Sequence, residues 1–140
     1  MYRNFSTRPA ANSATPRFAG HQYHQIDTGS RVDGATPHAL VTIMFEEVLM
    51  AIDTSISAAR AQDRILLSDQ RYRALSILVA LESSLDFRAG GDLAVSLARV
   101  YREASRLLRT TQDETHVAQL TKARAMIGDI ADAWFVIGAG

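Results

Sequence analysis

The residue types that most often catalyse reactions or bind metals are present, but their spacing does not assemble a site. His21 and His24 could hold a metal only with a third ligand, and Asp27 is the sole nearby candidate. His38 and His116 stand in the first turns of predicted helices, whereas a phosphotransfer bundle needs an exposed histidine in mid-helix. We therefore expect neither a metal site nor phosphotransfer.

Other catalytic motifs are missing from the sequence. Carboxylate-bridged di-iron bundles require a Glu-x-x-His motif on two helices, and this chain has none. It also has no glycine-rich phosphate loop and no nucleophile motif. The sequence therefore predicts a protein that is not an enzyme and that needs no cofactor.

The side chains that indicate a function are apolar and fall off the core-facing stripes of their predicted helices. Ile43 and Met50 lie roughly opposite such a stripe. On the fourth predicted helix, Val117 and Phe135 lie close to Gly128 and Ala131, whose small size would leave a trough. Leftover apolar surface can receive a partner helix in a groove, although single exposed apolar residues are also ordinary. The candidate partner-binding residues are Leu40, Ile43, Met50, Tyr72, Val79, Val117 and Phe135.

Four arginines repeat at three- and four-residue spacing on the outer face of the third predicted helix: Arg99, Arg102, Arg106 and Arg109. Such a face could dock an acidic partner. It could equally be a solvated surface whose arginines pair with Glu103 and its neighbours. The sequence leaves both interpretations open.

Composition favours one domain plus a tail, because 140 residues with 47% apolar side chains can form one core. The 15 basic and 15 acidic side chains balance, so no net charge directs the protein to nucleic acid or to anionic lipid. No stretch approaches the ~20 apolar residues of a membrane helix, and no apolar signal-peptide core is present. With no cysteine either, we expect a cytoplasmic protein without membrane insertion.

The first 35 residues are predicted to be a flexible tail. Residues 1–20 are mainly turn formers, with too little apolar surface to offset the entropy of ordering. Residues 21–35 differ, because three isolated apolar anchors interrupt a polar segment: Tyr23, Ile26 and Val32. We expect this second part to cap a groove of the folded domain; the alternative is that its anchors pack there only for stability.

Residues 36–140 show helical periodicity throughout, which predicts an all-α, antiparallel up-down four-helix bundle. Thr36 is a good N-cap and Pro37 suits a first turn, so the first helix should run from there to about Ala61. Leu93 and Trp134 are among the side chains expected to face the core. The other predicted boundaries are a cap at Ser68 or Asp69, an end near Phe87, a start at Asp92 after Gly90-Gly91, and a capping box at Thr111-x-x-Glu114.

Two helix junctions give the sequence a family likeness. One is the alanine-threonine-proline helix start in residues 35–45, and the other is the serine-leucine-aspartate and glycine-glycine corner in residues 84–94. Tyr23 stands ahead of the first junction, and Ala133-Trp134 lies near the end of the sequence. In this order and separation, about residues 22–137 resemble the FliS family, the flagellin-specific export chaperones of bacteria.

The resemblance implies a chaperone that binds the disordered C-terminal segment of flagellin in apolar surface grooves. Such a protein prevents premature polymerisation and delivers flagellin to the export gate of the flagellar type III apparatus. The resemblance also implies an anti-sigma regulator as a further partner and an N-terminal segment that lies on the client groove. The residues alone leave a second hypothesis open, a generic helical-bundle adaptor for an amphipathic helix of another partner.

Overall fold

A computed structural model describes residue 2 and residues 32–109 and 116–139 of the chain. These residues form four helices, and none of the four is long and apolar enough to cross a membrane. The helices are α1 (Pro37–Arg60), α2 (Arg64–Ser83), α3 (Phe87–Arg109) and α4 (His116–Ala139).

The helices pack as a ring of neighbours. In the described part of the chain α1 packs on α2 and α4, and α3 packs on the same two, while the Cα atoms of diagonal helices stay more than 8 Å apart. The short connections between α1 and α2 and between α2 and α3 allow only antiparallel neighbours. Large side chains such as Phe45, Leu78, Tyr101 and Ile127 are fully buried at the centre. The predicted all-α four-helix bundle is confirmed.

The junction between α1 and α2 corrects one predicted boundary. α1 begins as expected, because the Ala39 amide donates to the Thr36 hydroxyl at 3.1 Å. α2, however, begins at Arg64 rather than after Ser68 or Asp69, and its N-cap is Asp63. The first turn of α2 was missed because Ile65 is 85% exposed, so an apolar residue there breaks the amphipathic pattern.

The corner between α2 and α3 comes earlier in the chain than predicted. α2 ends at Ser83 instead of near Phe87, and the Asp86 carboxylate accepts hydrogen bonds from the first amides of α3. α3 begins at Phe87 rather than at Asp92, so the predicted start is wrong. The glycine pair instead lies at a kink inside α3, where Gly91 has φ of 52°, a conformation that glycine adopts without strain. Leu93, expected in the core, lies at this kink and is 54% exposed.

Tyr2 lies outside the four helices and packs on them. Its backbone pairs with that of Leu85 as an isolated antiparallel bridge. The prediction of disorder over residues 1–20 is therefore wrong at Tyr2. The predictions for the rest of that segment, for Tyr23 and Ile26, and for the capping box at Thr111 lie outside the described residues.

Candidate functional site

An open groove of about 500 Å³ runs between α1 and α4. Its apolar part is formed by Leu49 and Met50 of α1 and by Phe135 of α4. Met50 is 52% exposed, whereas Leu49 and Phe135 are half-buried and pack against the core. Polar side chains of α1 complete the lining: Glu46, Asp53, Thr54 and Ser57.

The spacing of residues on α1 explains why the groove lies there. Glu46, Met50, Asp53 and Ser57 follow one another at intervals of four, three and four residues, so they share one face of the helix. The core of α1 is built on another face, which includes Phe45. The groove face therefore lies outside the part of α1 that builds the core.

An ion pair bridges the two helices beside the groove. Arg124 of α4 donates from Nε to Asp53 of α1 at 2.8 Å. Its guanidinium lies directly over Gly128, where a Cβ would stand only 2.6 Å from Arg124 Nη1. The trough expected beside Gly128 and Ala131 is therefore wrong, because Arg124 covers Gly128 and Ala131 is buried in the core.

The structure separates the candidate partner-binding residues into two surfaces. Met50 and Phe135 are brought together in the α1–α4 groove. Tyr72 and Val79 are 72% and 52% exposed on α2, which lies diagonally across the described bundle from α4. The two remaining half-buried candidates are Leu40 on α1 and Val117 on α4. A single partner would have to reach around the bundle to contact both surfaces.

The prediction that Ile43 lies on the surface is wrong, because this residue is only 5% exposed. The next residue along the same face of α1, Glu47, is itself buried and forms a 2.6 Å ion pair with Arg73 of α2. This face of α1 therefore turns towards α2. Ile43 was predicted to be exposed because it lies off the single core-facing stripe of its helix. A helix that packs against two neighbours buries a larger part of its surface than one such stripe.

The arginine face of α3 is partly neutralised within the bundle. Arg102 pairs with Glu82 of α2 at 2.7 Å, and Arg106 pairs with Glu103 at 2.6 Å. The hydrogen bonds from Arg106 lower the pKa of the Glu103 carboxyl below its ordinary value. These contacts support the solvated-surface interpretation for two of the four arginines; Arg99 and Arg109 are exposed.

An aromatic cluster closes the end of the bundle where α1 begins and α4 ends. Trp134 stacks on His38 with ring centres 4.3 Å apart, and its indole Nε1 donates to the Thr42 hydroxyl at 3.0 Å. On another side Tyr2 meets Trp134 edge to face, with ring centres 5.3 Å apart. The Tyr2 hydroxyl forms a hydrogen bond with the hydroxyl of Tyr101.

Burial governs the ionisation of the two tyrosines. It raises the pKa of the Tyr101 phenol well above 10.0, and the neighbouring Tyr2 raises it further. Burial also raises the pKa of Tyr2, an effect that the hydrogen bond between Tyr2 and Tyr101 partly opposes. Both phenols are therefore neutral at physiological pH and bind each other as hydroxyl groups.

The described residues hold no group of three His, Cys, Asp or Glu side chains placed to bind a metal ion. Comparison with known proteins decides the family. The sequence model of the flagellar protein FliS matches residues 19–139. This chain belongs to the FliS family.

Three members of the family illustrate the relationship. The flagellar secretion chaperone FliS of Salmonella typhimurium is 24% identical over 113 residues, covering 80% of this chain and 84% of its own length. FliSB of Pseudomonas aeruginosa is 23% identical over 116 residues, covering 81% of this chain and 90% of its own. FliS of Vibrio cholerae is 25% identical over 113 residues, covering 80% and 82%.

Sequence reasoning missed several residues that shape the site in this FliS-family chain. Leu49 lines the groove but was not among the candidate partner-binding residues. The three- and four-residue spacing of Glu46, Met50 and Asp53 could have shown that polar side chains flank the groove. No local pattern could have placed Tyr2 against Tyr101, because the two residues are 99 positions apart.

Proposed function

We propose that this protein is a flagellar export chaperone whose client is the disordered C-terminal segment of flagellin. The proposal rests on membership of the FliS family over residues 19–139. The open α1–α4 groove supports it, because Met50 and Phe135 offer apolar surface to an amphipathic helix. By covering the client's apolar face the chaperone prevents premature polymerisation, and it delivers flagellin to the flagellar type III export gate.

Coupled folding and binding supplies the energy of the proposed mechanism. A disordered segment pays about 2 to 5 kcal/mol to become ordered, and burial of its apolar face must exceed that cost. The groove side chains Leu49, Met50 and Phe135 would accept that face, while Glu46 and the ion pair of Asp53 with Arg124 border it. No cofactor enters this cycle. Affinity stays moderate because part of the interaction energy is used for ordering, so the client can be released for export.

A matched pair of substitutions tests where the client binds. Met50 in the groove and Val79 on α2 are both 52% exposed, so serine at either position should change stability by no more than ~0.5 kcal/mol. We expect Met50→Ser to weaken binding of a flagellin C-terminal peptide about tenfold. Val79→Ser should leave the affinity within about twofold.

Three results would change this assignment. If Val79→Ser weakens binding and Met50→Ser does not, the client lies on the Tyr72 and Val79 surface of α2. If both weaken it, one client covers both surfaces. If neither variant changes the affinity of a folded protein, neither surface contains the site. Ile43 is unsuitable for such a test, because it is buried and its replacement by serine would destabilise the bundle.

We also propose that residues 21–35 cap the groove before the client arrives. Val32 is 39% exposed just ahead of α1, so it adds apolar surface beside the helix that lines the groove. An intramolecular cap lowers the apparent affinity by the fraction of molecules that are open. The double substitution Tyr23→Ser and Ile26→Ser, which keeps Tyr2, should then tighten client binding or speed association. A variant that melts at a lower temperature yet binds no faster and no tighter would show that these side chains only brace the bundle.

The competing function is a generic adaptor that binds an amphipathic helix of an unrelated partner. Family membership favours the flagellar client. A titration with an amphipathic peptide of the same length and charge but unrelated sequence separates the two, because an adaptor would bind both peptides equally. The export gate and an anti-sigma regulator remain proposed partners. For each, the test is a binding measurement with this protein, repeated in the presence of the flagellin peptide to see whether the two compete.

A further inference from the structure

Among the described residues, one tyrosine side chain from outside the helices fills a slot at the end of the bundle. Tyr2 occupies it, with its backbone paired to Leu85 at the α2–α3 corner and its ring edge against Trp134 of α4. The ring reaches far enough inward for its hydroxyl to bond with that of Tyr101 on α3. Three separate elements of the bundle therefore contribute one contact each.

The inner end of the slot recognises a hydroxyl group. Tyr101 is fully buried, so water cannot readily replace the hydrogen bond that Tyr2 makes to its hydroxyl. A phenylalanine in the slot would leave the Tyr101 hydroxyl buried without that bond, which is unfavourable. One hydrogen bond of ordinary strength corresponds to about a fivefold preference for tyrosine over phenylalanine.

The walls of the slot are held by the bundle itself. Trp134 is fixed from the side of α1, by stacking on His38 and by its hydrogen bond to Thr42. Thr42 in turn donates to the His38 carbonyl at 3.0 Å. None of these contacts involves Tyr2, so the wall stays in place when the slot is vacated. A site formed in advance binds its ligand without paying to order itself.

We propose that this slot is a tyrosine-binding site of the bundle and that Tyr2 is its intramolecular ligand, recognised through the Tyr101 hydroxyl. The site differs from the α1–α4 groove, which is lined by other residues. Its ligand class is a peptide that presents a tyrosine side chain together with the backbone groups of that residue, since Tyr2 also pairs its backbone with Leu85.

The single tryptophan of the chain makes the proposal directly measurable, because Trp134 is a wall of the slot. In the full-length Tyr2→Ala variant we expect the emission of Trp134 to shift to longer wavelength as water reaches the indole. A peptide with the sequence of residues 1–6, Met-Tyr-Arg-Asn-Phe-Ser, should reverse the shift when added at concentrations on the order of millimolar, comparable to those that covalent linkage supplies. The same peptide with phenylalanine at its second position should bind about fivefold more weakly.

Substitution of the recognising hydroxyl completes the test. In the double variant Tyr2→Ala, Tyr101→Phe the tyrosine peptide should bind no better than the phenylalanine peptide, because its hydroxyl has lost its partner in the slot. Tyr72→Ala, which removes an exposed tyrosine, should leave the emission of the parent unchanged. An emission spectrum that is the same with and without Tyr2, or a tyrosine preference that persists in Tyr101→Phe, would overturn the proposal. So would release of Tyr2 by the flagellin peptide, because the slot would then belong to the client site.

Discussion

Trp134 is the residue on which most contacts at the end of the bundle converge. It touches His38, Phe45 and Tyr2 through its ring and Thr42 through its indole nitrogen. A lone aromatic near a helix end could have been a client contact, but these interactions indicate a structural role. They also explain how α1 and α4 are joined at the end where the bundle would otherwise be open.

Trp134→Ala should therefore lower the free energy of unfolding by about 3 kcal/mol, the lower end of the range for a large aromatic because Trp134 is only half-buried. The control is Val136→Ala, two residues along α4 and 73% exposed, which should change it by less than ~0.5 kcal/mol. Urea denaturation followed by circular dichroism measures both. A Trp134→Ala variant that unfolds like the parent but no longer binds flagellin would assign the tryptophan to the client site instead.

The buried tyrosine pair predicts loss of stability at alkaline pH. The pKa values of Tyr2 and Tyr101 are raised above 10.0 in the folded protein, so above that pH the folded state holds protons that the unfolded state has released. The stabilisation is fully present below pH 10 and declines as the pH rises further. Melting temperatures measured between about pH 8 and pH 11 should fall above pH 10. The fall should be shallower in Tyr101→Phe, and an equal fall in both proteins would contradict the assignment.

The exposure of a single residue could be predicted from the sequence only where its position on one helix determines it, and not where a second element covers it. Met50, Tyr72 and Val79 are exposed as the helical period indicated. Ile43 was placed wrongly because a face that turns towards a second neighbour cannot be recognised from one helix alone. Tyr2 was placed wrongly because its partners are distant in sequence, and composition near residue 2 carries no information about them.

At the level of helices, two ion pairs of different burial join neighbouring elements. Arg73 of α2 pairs with Glu47 of α1, whose side chain is 7% exposed, while Arg102 of α3 pairs with Glu82, whose side chain is 29% exposed. Removing Arg73 leaves a buried carboxylate with one partner fewer. Arg73→Ala should cost about 2 kcal/mol of stability, and the control Arg102→Ala at most ~1 kcal/mol. Equal losses in chemical denaturation would show that burial does not distinguish the two pairs.

Gly128 in the middle of α4 gives a second prediction for an element. Alanine is favoured over glycine in a helix by about 1 kcal/mol, but a Cβ here meets the guanidinium of Arg124. That group can move away only by loosening its pair with Asp53, worth at most ~1 kcal/mol. Gly128→Ala should therefore give the whole gain of about 1 kcal/mol in an Arg124→Ala background, and a smaller gain in the parent protein. The same gain in both backgrounds would mean that the guanidinium does not occupy the space over Gly128.

The number and order of the helices were predicted correctly from the sequence, whereas a helix boundary was predicted correctly only where a distinctive N-cap marks it. Thr36 with Pro37 marked the start of α1 correctly, because the N-cap and first-turn proline act locally. The start of α2 was missed because Asp63 precedes apolar residues that face solvent. The groove itself could not be placed, because it depends on the distance between α1 and α4.

On the scale of the whole molecule, a stable bundle and an open groove follow from the same arrangement. Each helix buries one face against its two neighbours, and the α1–α4 seam keeps Met50 and Phe135 at its surface. A disordered client with an amphipathic pattern could complete this seam as a further helix. The protein would then be folded before its client is, which is what an export chaperone requires.

The central claim is that this folded bundle binds the disordered C-terminal segment of flagellin and that the segment folds on binding. Titration calorimetry of the protein with that segment, repeated at several temperatures, tests this claim most directly. The account predicts saturable one-to-one binding with a negative heat-capacity change from apolar burial, together with a gain of helical circular dichroism over the sum of the separate spectra. Absence of binding heat, with a mixture spectrum equal to that sum, would contradict it.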